Sequence, residues 1–168
     1  MDDIIVVDDF LNQEELTHMG SISSYKDDHW QIHNSGKNVD VFDFYIPFIS
    51  KQLNDNEYYT SYLFNKIKKT FNYNFKLEKV YLNGHEPLRH GSFHIDNDAD
   101  RTVILYITPW EPAWGGFTQF MISEKDHVII PPILGRLVNF KSDIIHKAYA
   151  FCNQNCPIRI TAAFKLKF

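Results

Sequence analysis

Read by the spacing of its apolar positions, the chain changes character near its middle. Ile4 to Val7 is a short apolar run between Asp2-Asp3 and Asp8-Asp9, and predicts a strand among solvated charges. Asn12 to Ser21 predicts a short helix: Asn12 is placed to cap it, Glu14 and Glu15 fall in its first turn, and Leu16 and Met19 share a face. The polar stretch from Ser23 to Asn38 has no period and predicts a loop carrying His29, Trp30 and His33, with a lid as one role open to residues 23–44. Helical spacing returns from Tyr45 to Phe71. Ile46, Ile49 and Leu53 form one stripe, Tyr59, Leu63, Ile67 and Phe71 the next, and Asn54-Asp55-Asn56 the break between them.

After Asn74 the period shortens to that of strands. Phe75, Leu77, Val80 and Leu82 lead to a turn at Gly84, residues 92–96 give a short strand edge, and residues 102–108 form a run apolar on both faces. Further strands are predicted over residues 117–122, 128–130, 136–140, 144–150 and 158–168. Seven or eight short strands between Gly, Pro and Asn turns predict a mainly β fold with flanking helices. Its core is a barrel or two-sheet jelly roll, with the N-terminal helices packed outside. No linker separates the halves. Residues 1–168 therefore read as a single domain, with 1–74 as a helical support region and 75–168 as the jelly-roll core.

Composition narrows the function classes. With 44% hydrophobic and 15% aromatic residues, the chain can bury a full core, which argues against long disorder. Seventeen basic against 21 acidic residues leave a net charge of -4, so the basic field that non-specific nucleic-acid binding needs is missing. No apolar stretch approaches the ~20 residues of a membrane span, and the acidic N-terminus is unlike a signal peptide. Two cysteines, Cys152 and Cys156, exclude a disulfide scaffold and point to a reduced, cytoplasmic setting; their spacing reads as a plain turn, with a redox clip as the minor alternative.

Three scattered elements carry chemistry. In His94-Ile95-Asp96, residues i and i+2 of a strand point to one face and can reach one ion. Alone the tripeptide is weak, because a polar strand end with a solvated Asp accounts for it equally well. His146 opens a late strand that a jelly roll could lay beside His94, and two imidazoles with one carboxylate form the facial set that suits non-haem Fe(II). A core or surface histidine is the alternative there. Arg159, one of only 4 arginines among 17 basic residues, sits in the apolar strand Arg159-Ile160-Thr161-Ala162-Ala163-Phe164. A guanidinium there needs an anion, either a bidentate carboxylate ligand or an internal Asp or Glu.

Taken in order, these elements resemble the Fe(II)/2-oxoglutarate-dependent oxygenases, in particular the prolyl 4-hydroxylase-like branch, over residues 79–168. Tyr81-Leu82-Asn83-Gly84 followed by Gly91-Ser92-Phe93-His94-Ile95-Asp96 is similar to that branch's entry to its first ligand strand. Trp114-Gly115-Gly116-Phe117-Thr118 is similar to its Gly-Gly turn, and Gly135-Arg136-Leu137-Val138-Asn139-Phe140 to its approach to the distal His.

The resemblance implies that His94, Asp96 and His146 hold Fe(II), and that Arg159 binds the distal carboxylate of 2-oxoglutarate with help from Tyr106 and Thr161. Tyr81 would line the pocket, Arg101 and Trp110 are candidate substrate contacts, and ascorbate would serve as reductant. For Arg101 a pair with Asp98 or Asp100 is the other reading. His85 and His90 read as loop histidines. Lys165 and Lys167 depart from the pattern, since they share the nominal face of Arg159; the strand must twist, bulge or leave the barrel after Ala163. The implied reaction is hydroxylation of a prolyl residue in a peptide or protein, with dioxygen consumed and 2-oxoglutarate decarboxylated to succinate. The competing readings are the same cofactor chemistry on a small molecule or nucleic-acid base, a non-catalytic jelly-roll binding module, and an unrelated zinc hydrolase.

Overall fold

The computed structural model of the chain describes residues 3–22, 29–34, 47–96 and 98–168. Strand β1 (Ile4–Val7) leads into α1 (Gln13–Ile22), then β2 (Gln31–Asn34) and β3 (Pro47–Gln52). A wide π-type turn at Tyr58–Leu63 continues into α2 (Phe64–Phe71). The rest is β: β4 (Lys76–His85), β5 (Arg101–Tyr106), β6 (Thr118–Met121), β7 (His127–Ile130), β8 (Leu137–Lys141), β9 (His146–Ala148) and β10 (Arg159–Lys167). They form a seven-stranded sheet, in the order β1-β8-β5-β10-β4-β3-β2, and a three-stranded sheet, β7-β6-β9. The pairings are antiparallel throughout. This is the jelly roll that the strand spacing predicts. No helix among the described residues is long and apolar enough to cross a membrane.

Period-2 alternation builds two cores from one large sheet. On its outer face Val80 and Leu82 of β4, Val103 and Leu105 of β5, and Ala162, Phe164 and Leu166 of β10 pack with Met19 of α1 and with Tyr59, Leu63 and Ile67 of the π turn and α2. The helices therefore lie outside the sheet, as expected. On the inner face Tyr106, Val138 and Phe140 meet Phe120 and Ile130 of the small sheet. Whatever remains of that inner face, toward β4 and β10, is free to line a cavity.

The α1 N-terminus is a reciprocal cap. The Glu15 amide donates to Asn12 Oδ1 (2.9 Å) while the Asn12 amide donates to Glu15 Oε2 (2.7 Å). Glu15 is buried, and it also accepts from Tyr62 Oη (2.8 Å) and from Lys66 Nζ (2.6 Å), which ties α1 to the second helical segment.

Three expectations are corrected. The stripe Ile46, Ile49, Leu53 is not helical where the chain is described: residues 47–52 are β3, paired with β4 in the register Ile49↔Gly84. Pro47 and β-branched Ile49 suit a strand, and pairing along the edge of β4 overrides the helical spacing. Residues 31–34 of the expected loop form β2; the rest of that loop, apart from His29 and Trp30, lies outside the described residues, as do residues 35–44 of the lid question. Residues 1–74 thus add three strands to the large sheet as well as helices. Gly84 is no turn either, since β4 runs through it to His85. A Cβ at Gly84 would stand 2.6 Å from Ile49 Cγ1, so the close approach of β3 is what demands glycine there.

Candidate metal and diacid site

The cavity-facing rows follow from the alternation. From β10 come Arg159, Thr161, Ala163 and Lys165; from β4 come Tyr81, Asn83 and His85; Thr102 and Ile104 of β5 and Thr118 of β6 complete the inner wall. The cavity is about 360 Å³ in volume.

His94, Asp96 and His146 meet in this cavity, their ligand atoms all within 4.8 Å of one another. The predicted strand edge at residues 92–96 shrinks to a single bridge: His94 and His146 exchange backbone hydrogen bonds of 3.0 and 2.9 Å, and the Asp96 amide donates to Ser142 O (2.8 Å). Both imidazoles are fixed through Nδ1, which lies 2.9 Å from Ser92 O in His94 and 2.9 Å from Ile144 O in His146. A backbone carbonyl accepts only from Nδ1–H, so each Nε2 is left as the free donor atom. Those Nε2 atoms lie 3.9 Å (His94) and 3.7 Å (His146) from the nearer Asp96 oxygens. His146 is held between Phe120 and Phe140, with ring centroids 5.9 and 4.7 Å away. Its burial, reinforced by His94, pulls its pKa down to about 3, so the ring stays neutral and able to ligate. Burial would raise Asp96, but Lys165, His146 and Thr102 outweigh it and bring the carboxyl to about 2.

Arg159 is 2% exposed and rests among neutral groups. Its Nε donates to Gly116 O (2.7 Å), a terminal nitrogen donates to Thr118 Oγ1 (2.8 Å), and its guanidinium carbon stands 5.3 Å from the Tyr106 ring. Tyr106 Oη donates to the same Thr118 hydroxyl (2.7 Å), and Tyr106 faces Thr161 across the β5–β10 ladder. Among the described residues no carboxylate pairs with Arg159. Gly116 (φ +78°) makes this packing possible, because a Cβ there would meet the Phe151 ring at 2.5 Å.

The structure therefore gathers His94, Asp96, His146, Arg159, Thr161 and Tyr81 around one cavity, with Tyr106 behind Arg159. Two candidate substrate contacts do not belong to it. Arg101 lies on the helix-facing side of β5, 1% exposed, with Nε donating to Asn139 Oδ1 (2.6 Å); the odd–even alternation that brings Thr102 inward turns it away. Trp110 closes its own turn by donating from Nε1 to Gly115 O (2.8 Å), and it does not line the cavity.

Sequence reasoning missed His85, which is no loop residue. It ends β4 opposite Arg159 in the β10 register, and burial with the nearby Arg159 charge holds its pKa at about 3. Reading β4 through Gly84 would have put His85 on the face of Tyr81 and Asn83. The break expected in β10 after Ala163 does not occur: the one irregularity is an extra residue on the partner strand β4, at Glu78, while β10 keeps its alternation, so Lys165 stays inside and Lys167, at the strand end, lies exposed near Glu78.

A scan of protein-family models finds no match to the chain, nor does a search of curated proteins. Solved structures do match, along 98–99% of the chain. A prolyl hydroxylase from Trichoplax adhaerens, in complex with a hypoxia inducible factor oxygen degradation domain peptide, superposes with a TM-score of 0.77 at 19% identity over 84% of its own length. The viral collagen prolyl hydroxylase of Paramecium Bursaria Chlorella virus-1, in its 2-oxoglutarate complex, gives 0.69 at 16% over 96% of its length. The epimerase SnoN, bound to Fe3+, alpha ketoglutarate and nogalamycin RO, gives 0.71 at 11% over 78% of its length. The chain has the fold of the 2-oxoglutarate/Fe(II) oxygenases, a set that includes prolyl hydroxylases and enzymes acting on small molecules.

Proposed function

We propose that the chain is an Fe(II)- and 2-oxoglutarate-dependent dioxygenase that hydroxylates a prolyl residue in a peptide or protein. The observation that carries the cofactor reading is the pairing, in one cavity, of a two-His, one-carboxylate set with a buried guanidinium that has only neutral partners. Such a guanidinium calls for an anion. Thr118, which holds Arg159, lies two residues along β6 from Phe120, the residue opposite His146.

When bound, Fe(II) and 2-oxoglutarate supply the oxidation of a C–H bond by dioxygen, the diacid leaving as succinate and carbon dioxide. His94, Asp96 and His146 would hold the iron from one side, which leaves the other side open. Arg159 and Thr161 would orient the distal carboxylate, with Tyr106 bracing Arg159 through Thr118. Phe48, Ile95, Ile104 and Ala163 line the cavity with apolar surface that limits water. Ascorbate would keep the iron ferrous. A peptide substrate is supported by the peptide-bound neighbour, and a small molecule by the ligand-bound epimerase.

The test is incubation with Fe(II), ascorbate, 2-oxoglutarate and a proline-containing peptide library, read by mass for one added oxygen and by succinate release. Stoichiometric hydroxylation that Asp96→Ala abolishes supports the proposal. Oxygen added only to a small molecule moves the protein to the second reading, and 2-oxoglutarate turnover unaffected by Asp96→Ala removes the metal assignment.

A further inference from the structure

The inner row of β10 carries a second buried cation. Lys165 is 3% exposed, lies three positions along that row from Arg159, and is absorbed by none of the roles above. Its ammonium forms an ion pair with Asp96 Oδ2 and donates to Thr102 Oγ1 (3.1 Å). Thr102 Oγ1 donates to that same Oδ2 (2.6 Å) and contacts Ser142 Oγ (3.0 Å). The Tyr81 ring stands 6.0 Å from the ammonium. Asp98, the other carboxylate at this end of the cavity, is paired with Lys79 at the surface. Lys165 is thus built into the cavity wall, and Asp96 is its carboxylate partner.

Asp96 is also the one carboxylate of the candidate metal set, so its single negative charge is divided between a divalent ion and a fixed ammonium. We propose that Lys165 is a positioning residue that holds Asp96 through Oδ2 and sets the divalent-metal affinity of the site low while favouring the dianionic co-substrate. This rests on the metal reading above. The sign follows from Coulomb's law. A positive charge a few ångströms from the ion opposes metal binding, and the same charge attracts a dicarboxylate. Arg159 and Lys165, at opposite ends of one strand row, then bracket the diacid with positive charge.

The signature is a pair of affinities that move in opposite directions, which loss of structure would not produce. Mn(II) binding is measured from the free-ion EPR signal, and 2-oxoglutarate binding by anaerobic calorimetry on the Mn(II)-loaded protein. Lys165→Gln keeps an N–H donor toward Oδ2 but loses the charge. It should bind Mn(II) about tenfold or more tightly and 2-oxoglutarate severalfold more weakly. Lys165→Met should shift both in the same directions, and Lys165→Arg should leave both near the wild type. Mn(II) affinity unchanged or reduced in both neutral variants, with their circular dichroism intact, would overturn the role of Lys165 while leaving the metal site standing. A wild-type protein that binds no Mn(II) would overturn the metal reading and this inference together.

Discussion

Phe120 stands directly across the β6–β9 ladder from His146, and the two rings stack at 5.9 Å. A strand pairing thereby becomes an aromatic wall behind one nitrogen donor, closed on its other side by Phe140. Core packing and the orientation of the His146 imidazole are one interaction here.

Phe120→Ala should therefore harm both. Removing a fully buried phenyl ring costs about 3–5 kcal/mol of stability, read by urea denaturation. Metal affinity should fall in the same variant, because the His146 ring loses the wall that fixes its plane. A normal metal affinity in a destabilised Phe120→Ala protein would separate the two roles.

Arg159→Met should lose about 1.5–3 kcal/mol of diacid binding, roughly 10- to 150-fold in Kd. Without ligand the same substitution should leave stability unchanged or raise it, since it removes a buried charge that has only neutral partners. Thermal melts with and without 2-oxoglutarate check both halves; a variant still stabilised by the diacid to the wild-type extent would contradict the assignment.

Gly84→Ala should destabilise the protein by about 1–3 kcal/mol, because its Cβ would press on Ile49 at 2.6 Å. Shortening the opposing side chain should relieve this. Ile49→Ala combined with Gly84→Ala is expected to be less costly than the sum of the two single changes, a coupling that a double-mutant cycle measures.

Acid should unfold the protein through two kinds of group. Glu15 is buried, which raises its pKa, but its bonds from Lys66, the Asn12 amide and Tyr62 lower it further, so the net folded value lies below the unfolded one. Its contribution is present above the ordinary carboxylate pKa and is lost as pH falls through the lowered one. His85 and His146, both near 3 when folded and near 6.5 when unfolded, take up protons preferentially in the unfolded chain. Stability should decline from about pH 6.5 toward pH 3. Glu15→Gln should cost about 1–3 kcal/mol at pH 7 and flatten the lower part of the profile, as equilibrium melts across pH would show.

The C-terminal half was legible because most of its strands are short apolar runs bounded by turn residues, as residues 102–108 are by Pro109. His94, Asp96, His146 and Arg159 could be found because their spacing carried a pattern that each lacked alone. The edge strands β2 and β3 were hidden, since Ile46, Ile49 and Leu53 keep helical spacing and only the neighbouring β4 decides their state. Gly84 misled for a related reason: its cause is Ile49, a residue distant in the chain. Arg101 and Lys165 show the reach of simple parity. Counting odd and even positions from Thr102 and from Arg159 turns the first outward and the second inward, because β10 keeps its alternation and the irregular residue lies on β4.

That parity makes β10 unforgiving. One face of the strand presents cations and a hydroxyl to the cavity, while the other presents Ile160, Ala162, Phe164 and Leu166 to the helical layer. One inserted amino acid near Thr161 would thrust phenylalanine toward His94, Asp96 and His146 and press lysine into hydrocarbon, so the cavity and the core would fail in the same stroke. Length changes accumulated through evolution should instead concentrate in the exposed turn at residues 153–157, where an added residue leaves both faces in phase.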